Sequence, residues 1–353
     1  MQGASPQFVD QPQRQVPAPA AARAPFLAAD VGGTHARVGL IQPAADSAGD
    51  PNLSVLHYRK FACAGYNDLH DILREFTATL DGPIATHACI ACAGLVSGDD
   101  LINANLPWRV SISRLRDELG LDRVVLVNDF TAVAYAAHFQ DVADSTRVTG
   151  HGAIDPALPR LVVGPGTGLG AAALIPGGER PGILPTEGGH AALAARTELE
   201  LEVLRRLGNG RAHVPNEQVF SGPGLFALYR TLCELRAVHA QFESPAQVTA
   251  AALARGDALA IETVELFCAW FGSLIGDLVM LLGAYGGVYL AGGVLPRIAP
   301  LLRASGFAAR LADKGALRAV LERVPVHLID HGQLGVTGAA HWFLDHESEG
   351  RRS

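Results

Sequence analysis

At 353 residues, 49% of them hydrophobic and only 18% charged, the chain is long enough for two domains sharing a cleft and has the make-up of an ordinary globular protein. Its formal net charge of −7 gives no basic footprint, which argues against nucleic acid as a partner. Both of its lysines, Lys60 and Lys314, lie outside the glycine loops, so a Walker-type GxxxxGK[ST] site is excluded.

Residues 1–25, rich in Pro, Gln and Ala, are expected to be a disordered tail and not a secretory signal. From Phe26 to Leu40 the sequence reads as strand, glycine turn and strand, with Asp30, Gly32, Gly33 and Thr34 at the turn. Glycines there let backbone N–H groups approach an anion, Thr34 adds a hydroxyl, and Asp30 is placed to face a hydrated cation. The plainer alternative is a tight hairpin that uses Asp and Gly for turn geometry.

A third strand follows at 53–62, a helix at 66–80 and a buried strand at 85–93. That strand carries Cys89 and Cys92. With no second pair to complete a metal site, the five cysteines fit buried thiols in a reducing compartment. Residues 94–100 read as a turn, and Ser113 is expected to head a helix that Gly120 ends. A β-branched strand at 124–127 then delivers Asn128 and Asp129 to the start of a helix, a ligand-facing place in α/β sheets. Asp129 there suits a general base for a hydroxyl, or simply an N-cap.

The glycine hairpin recurs at 161–175, with Gly164, Gly166, Thr167, Gly168 and Gly170. Gly166-x-Gly168-x-x-Ala171 imitates a dinucleotide fingerprint, but it leads into a strand where that fingerprint must open a helix. Two such hairpins suit the two sides of one nucleotide. Glu187-Gly-Gly-His190 presents a carboxylate and an imidazole from one loop, without a third ligand spaced for zinc. Ser221 is a candidate cap for the following helix. Helices are expected at 198–207, 224–235, 245–255 and 261–282, the last with a stripe of Val264, Phe267, Phe271, Leu274, Leu278 and Leu281 that reads as core. The uncharged run 278–295 is too rich in glycine for a membrane span, and reads as helix end, turn and the strand 288–291. The end of the chain, 344–353, reads as polar and frayed.

The ordered set Asp30-Val-Gly-Gly-Thr34-x-x-Arg37, Asn105-Leu-Pro-Trp108, Asn128-Asp-Phe-Thr-Ala132, Gly164-x-Gly-Thr-Gly-x-Gly170, Glu187-Gly-Gly-His190, Glu217 with Ser221-Gly-Pro-Gly224, and Ala291-Gly-Gly-Val294 resembles the bacterial glucokinases. The likeness is to the non-ROK, hexokinase-like family of the superfamily that also holds actin, sugar kinases and heat-shock ATPases. The Ala191–Arg211 stretch, free of cysteine, lacks the zinc site of the ROK branch.

The resemblance implies a two-domain actin-like ATPase (ribonuclease H-like) α/β fold with a central cleft. Its small domain would span 26–139, completed by 332–348, and its large domain 140–331. The implied reaction is ATP-dependent phosphorylation of glucose to glucose 6-phosphate. By the same resemblance Asn105, Asn128, Asp129, Glu187, His190 and Glu217 hold the sugar, and Asp129 is the base. Gly32, Gly33, Thr34, Gly166, Thr167 and Gly168 hold the ATP phosphates, Gly292 and Gly293 border the adenosine, and Asp30 contacts Mg2+ directly or through water. A cytoplasmic homodimer with no nucleic-acid or membrane partner is expected. The competing readings are a phosphohydrolase of the same superfamily and a non-catalytic sugar-responsive regulator.

Overall fold

Strand β1 (Phe26–Val31) is buried at every residue, as a central strand is when both sheet faces are covered. The computed structural model to which it belongs describes residues 24–43, 53–80, 85–102, 106, 108–139, 142–177, 181–329 and 332–350. All of the expected N-terminal tail except Ala24 and Pro25 lies outside the described residues.

The Gly32-Gly33-Thr34 turn leads into β2 (His35–Pro43), antiparallel to β1 with Asp30 opposite Arg37. Strand β3 (Leu53–Ala62) pairs with β2 and forms an exposed edge. Helix α1 (Leu69–Thr77) is capped by the Asp68 carboxylate, and β4 (His87–Cys92) then runs parallel to β1. Residues 94–100 do more than turn: β5 (Leu95–Ser97), β6 (Asp100–Ile102) and β7 (Val110–Ser111) form a small antiparallel sheet. Helix α2 (Ile112–Leu119) ends on Gly120 in the left-handed region as expected, but its cap is Ser111, not Ser113. Ser111 Oγ accepts from the Arg114 amide, while Ser113 is bound to Asp99. Strand β8 (Arg123–Asn128) completes the sheet order β3-β2-β1-β4-β8 and hands the chain to α3 (Asp129–Phe139).

The second half repeats the scheme. Its strands are β9 (Thr146–Thr149), β10 (Arg160–Pro165), β11 (Leu169–Ile175), β12 (Gly182–Thr186), β13 (Val288–Leu290) and β14 (Val326–Leu328), in the order β12-β11-β10-β13-β14-β9. Its first five positions match the first sheet in order and in direction. Between β12 and β13 lie α4 (Glu198–Gly208), α5 (Gly222–Leu235), α6 (Pro245–Leu253) and α7 (Ala258–Leu282). Helix α7 is long and apolar enough to cross a membrane. It is instead the spine of the second core, with Phe267, Phe271 and Ile275 fully buried.

Helix α3 is apolar around its whole circumference because it is covered on two sides. Val133, Ala134, Ala136 and Ala137 pack with Val162, Ala172 and Leu174 of the second sheet, while Ala132 joins Phe26, Ala28 and Ala91 of the first. The helix Leu334–Gly350 returns to that same face of the first sheet through Val336, Ala339, Ala340 and Phe343. It runs on through the first seven residues of the end expected to fray, and Leu344 is buried. Strand alternation puts Asp30 on the face of Phe26 and Ala28, toward these two helices. The same alternation sends Cys89 and Cys92 to opposite faces of β4, and all five thiols are free and buried.

Candidate functional site

The site forms where the two glycine hairpins meet. Thr34 Oγ1 and Thr167 Oγ1, 133 positions apart in sequence, lie 3.1 Å from each other. Both turns are held from within: the Gly32 amide donates to the His35 carbonyl at 3.0 Å, and the Gly166 amide to the Gly168 carbonyl at 2.8 Å. The start of α5 adjoins the second turn, with the Gly222 amide donating to the Gly166 carbonyl at 2.8 Å and Ser221 Oγ capping the helix as expected. Gly292, at φ +87°, lies so close to Pro165 that a side chain would meet its carbonyl oxygen, whereas the space beside Gly293 is open. Both glycines therefore stand on the rim of the second turn.

At the ends of the parallel strands β1, β4 and β8, Val31, Cys92 and Asn128 stand in register, which brings Asp30 and Asp129 near each other. Asp30 is buried and its Oδ2 accepts from Arg37 Nη1 at 3.0 Å. It also lies against the first turn of the helix Leu334–Gly350, so closely that a side chain at Gly335 would run into the carboxyl. A helix N-terminus is favourable ground for a carboxylate.

Asn128, not Asp129, provides the N-cap bond of α3, because its Oδ1 accepts from the Thr131 amide at 3.0 Å. The Asn128 oxygen is thereby committed to the helix start. Asp129 heads the helix with Oδ1 accepting from the Phe130 amide at 2.9 Å. Part of the residue is open to the cleft, yet burial of the carboxyl, followed by the charge of Asp30, pushes its pKa up to about 7. Lifting a carboxyl that far costs its ionised form about 4 kcal/mol, several times the ~0.3–1 kcal/mol that a helix N-terminus returns. Burial therefore wins, and the group titrates where a base for a hydroxyl is useful. Phe130 lies flat against Gly170, where a side chain would overlap its ring.

On the other side of Asp129, the Glu187–His190 turn is closed by the His190 amide on the Glu187 carbonyl at 2.9 Å. The His190 ring lies between two carboxylates, 3.8 Å from Glu187 and 3.8 Å from Glu217. Glu187 and His190 are exposed, and Glu217 is largely covered. Glu217 Oε2 also accepts from the Leu169 amide at 3.4 Å, tying this cluster to the second hairpin.

Asn128, Asp129, Glu187, His190 and Glu217 thus gather beside the paired glycine turns, while Asn105 lies outside the described residues. Sequence reasoning gave no role to Arg37, Gly335 or Asn216. The last is buried, and its Nδ2 donates to the Gly188 carbonyl at 2.9 Å, fixing the Glu187–His190 turn. For Asn216 and Glu217 the signal was there, a polar pair ahead of the Ser221 cap. For Gly335 only the glycine spacing at 332, 335 and 338 hinted at close approach. Among the described residues no group of three His, Cys, Asp or Glu side chains could hold a metal by itself.

The glucokinase family model matches residues 27–346. A glucokinase-like protein of Xylella fastidiosa (strain 9a5c) is 49% identical over 323 residues, which cover 91% of this chain and 95% of that one. A glucokinase of Saccharophagus degradans is 38% identical over 319 residues, 90% of this chain and 98% of its own. Among solved structures, a glucokinase from an Antarctic psychrotroph superposes with a TM-score of 0.76 at 33% identity, covering 91% of this chain and 99% of the other.

Proposed function

The chain belongs to the glucokinase family, and we propose from that premise which of its residues carry each part of the reaction. It has the actin-like sugar-kinase fold and is an ATP-dependent hexose kinase that phosphorylates glucose. Asp129 is the general base. Glucose lies against Asn128, Asp129, Glu187, His190 and Glu217, with Asn105 part of the same proposal. Side chains that donate and accept on several sides suit a neutral polyhydroxyl ligand, because each hydroxyl does both. A phosphohydrolase would leave this cluster without a ligand, and a non-catalytic sugar-responsive regulator would leave the Asp129 carboxyl and the paired glycine turns without a use.

The turns Gly32-Gly33-Thr34 and Gly166-Thr167-Gly168 grip the phosphate chain from two sides, and Gly292 and Gly293 border the nucleoside. Asp30 is the residue that would hold Mg2+. Arg37 meets only its Oδ2, the nearby Asp129 carboxyl feels its negative charge, and one carboxylate oxygen with substrate phosphates is a usual magnesium donor set. When bound, the ion neutralises charge on the transferring phosphoryl group. The protein aligns the hydroxyl with the terminal phosphate and excludes water, and Asp129 takes the hydroxyl proton as the bond forms.

The domain division is part of this reading: 26–139 with 332–348 forms the small domain and 140–331 the large one, supported by the return of the last helix to the first sheet. So are a cytoplasmic location, which suits five free buried thiols, and a homodimer, to be checked by light scattering.

The observation that carries the proposal is the enclosed Asp129 carboxyl beside two touching glycine turns. Replacing it, Asp129→Asn, is expected to lower kcat by about 10²-fold or more with glucose affinity kept. Glu187→Gln is expected to weaken glucose binding while sparing ATP. Near-normal turnover in the first variant removes Asp129 from the base role, and equal loss for both ligands in the second removes Glu187 from the sugar site.

A further inference from the structure

Cys63 follows β3 directly and is fully buried behind the first glycine turn. It makes two bonds to that turn. Its backbone amide donates to the Thr34 carbonyl at 3.0 Å, and its Sγ donates to the Gly32 carbonyl at 3.3 Å. Burial pushes the thiol pKa up, so the group stays protonated and able to donate at neutral pH.

The peptide joining Gly32 to Gly33 is planar and trans, so its C=O and N–H point in opposite directions. A carbonyl drawn back to Cys63 therefore turns the Gly33 N–H away from Cys63. A peptide between two glycines is also the easiest kind to rotate, since neither residue has a Cβ to restrict it. Such a unit holds one orientation only when something ties it. The Gly32 amide is tied to the His35 carbonyl, and Cys63 supplies the tie on the carbonyl side.

We propose that Cys63 is a positioning residue for nucleotide binding: its thiol holds the Gly32–Gly33 peptide so that the Gly33 amide is presented to the phosphate chain of ATP before the nucleotide arrives. The proposal rests on the reading of the first glycine turn as a phosphate loop. A pre-set amide spares the nucleotide the cost of ordering it, and the benefit falls on ATP, not on glucose.

The test compares Cys63→Ala, Cys63→Val and Cys63→Ser with Thr34→Ala, measuring KM for ATP and for glucose, kcat and thermal stability. Loss of one modest hydrogen bond is expected to raise KM for ATP about 3- to 10-fold in the Ala and Val variants. KM for glucose and kcat are expected to stay within about twofold, and Cys63→Ser, which keeps a donor, to recover most of the loss. Val fills the thiol's space without donating, so a misfolded Ala variant leaves the comparison intact. Unchanged ATP affinity in Ala and Val, an equal loss in the Ser variant, or parallel losses for ATP and glucose that follow stability would overturn the proposal. Normal ATP affinity in Thr34→Ala would instead remove the phosphate-loop reading on which it stands.

Discussion

A carboxyl that ionises only near neutrality sets its own pH dependence. Between about pH 4 and about pH 7 the folded, ligand-free chain keeps a proton on Asp129 that the unfolded chain has already released. The unfolded state therefore binds fewer protons in that window, and this group's contribution to stability falls as the pH rises through it. Asn in its place removes the loss, so Asp129→Asn should gain in melting temperature over the wild type at pH 8 and show little gain at pH 4.5. An equal difference at the two values would mean that the carboxyl is not desolvated as described. Beside it, Asn128 spends its side-chain oxygen on the helix start. The cap thus belongs to Asn128, which frees Asp129 for the role of base proposed above, a division that the dipeptide in the sequence left open.

Helix α3 explains how such a carboxyl stays in place. Its small side chains let it lie between two sheets, and Gly338 of the last helix meets it so closely that a side chain would run into the Ala132 carbonyl. Gly338→Val should cost about 1–3 kcal/mol by forcing the helices apart. It should also lower kcat beyond the loss of folded protein, because α3 carries Asp129, and urea unfolding beside turnover per folded molecule separates the two effects. A variant with wild-type stability would show that this helix crossing tolerates bulk.

Elements of this kind were legible where hydrophobic period and capping agree. The strand 53–62, the start of the helix at 198 and the Gly120 and Ser221 caps are where the sequence puts them. The small sheet β5-β6-β7 was not legible, since strands of two or three residues carry no period. Ser113 was expected to head α2, but its side chain is held by Asp99, 14 positions earlier in the chain, a partner that local spacing does not reveal. The salt bridge to Arg37, the anchor at Asn216 and the closeness of Gly335 to Asp30 likewise arise from long-range packing that spacing does not encode.

At the scale of the whole molecule, two sheets of matching order face each other across α3, and the repeat seen in the glycine hairpins extends to five strands of each sheet. The polypeptide leaves the first sheet after α3 and comes back to it with the helix Leu334–Gly350. The halves are consequently joined like a strap with two buckles. A protease cut in the exposed stretch 155–158 opens one buckle only, and the downstream fragment still carries the helix whose Val336, Ala339 and Phe343 cover Phe26, Ala28 and Ile41 of the upstream one. The two pieces should co-elute on gel filtration without denaturant, and their separation would show that the second fastening does not hold. Deleting residues from 334 onward opens the other buckle and bares the part of the first sheet that Val336, Ala339 and Phe343 cover, so solubility should suffer far more from that truncation than from the nick.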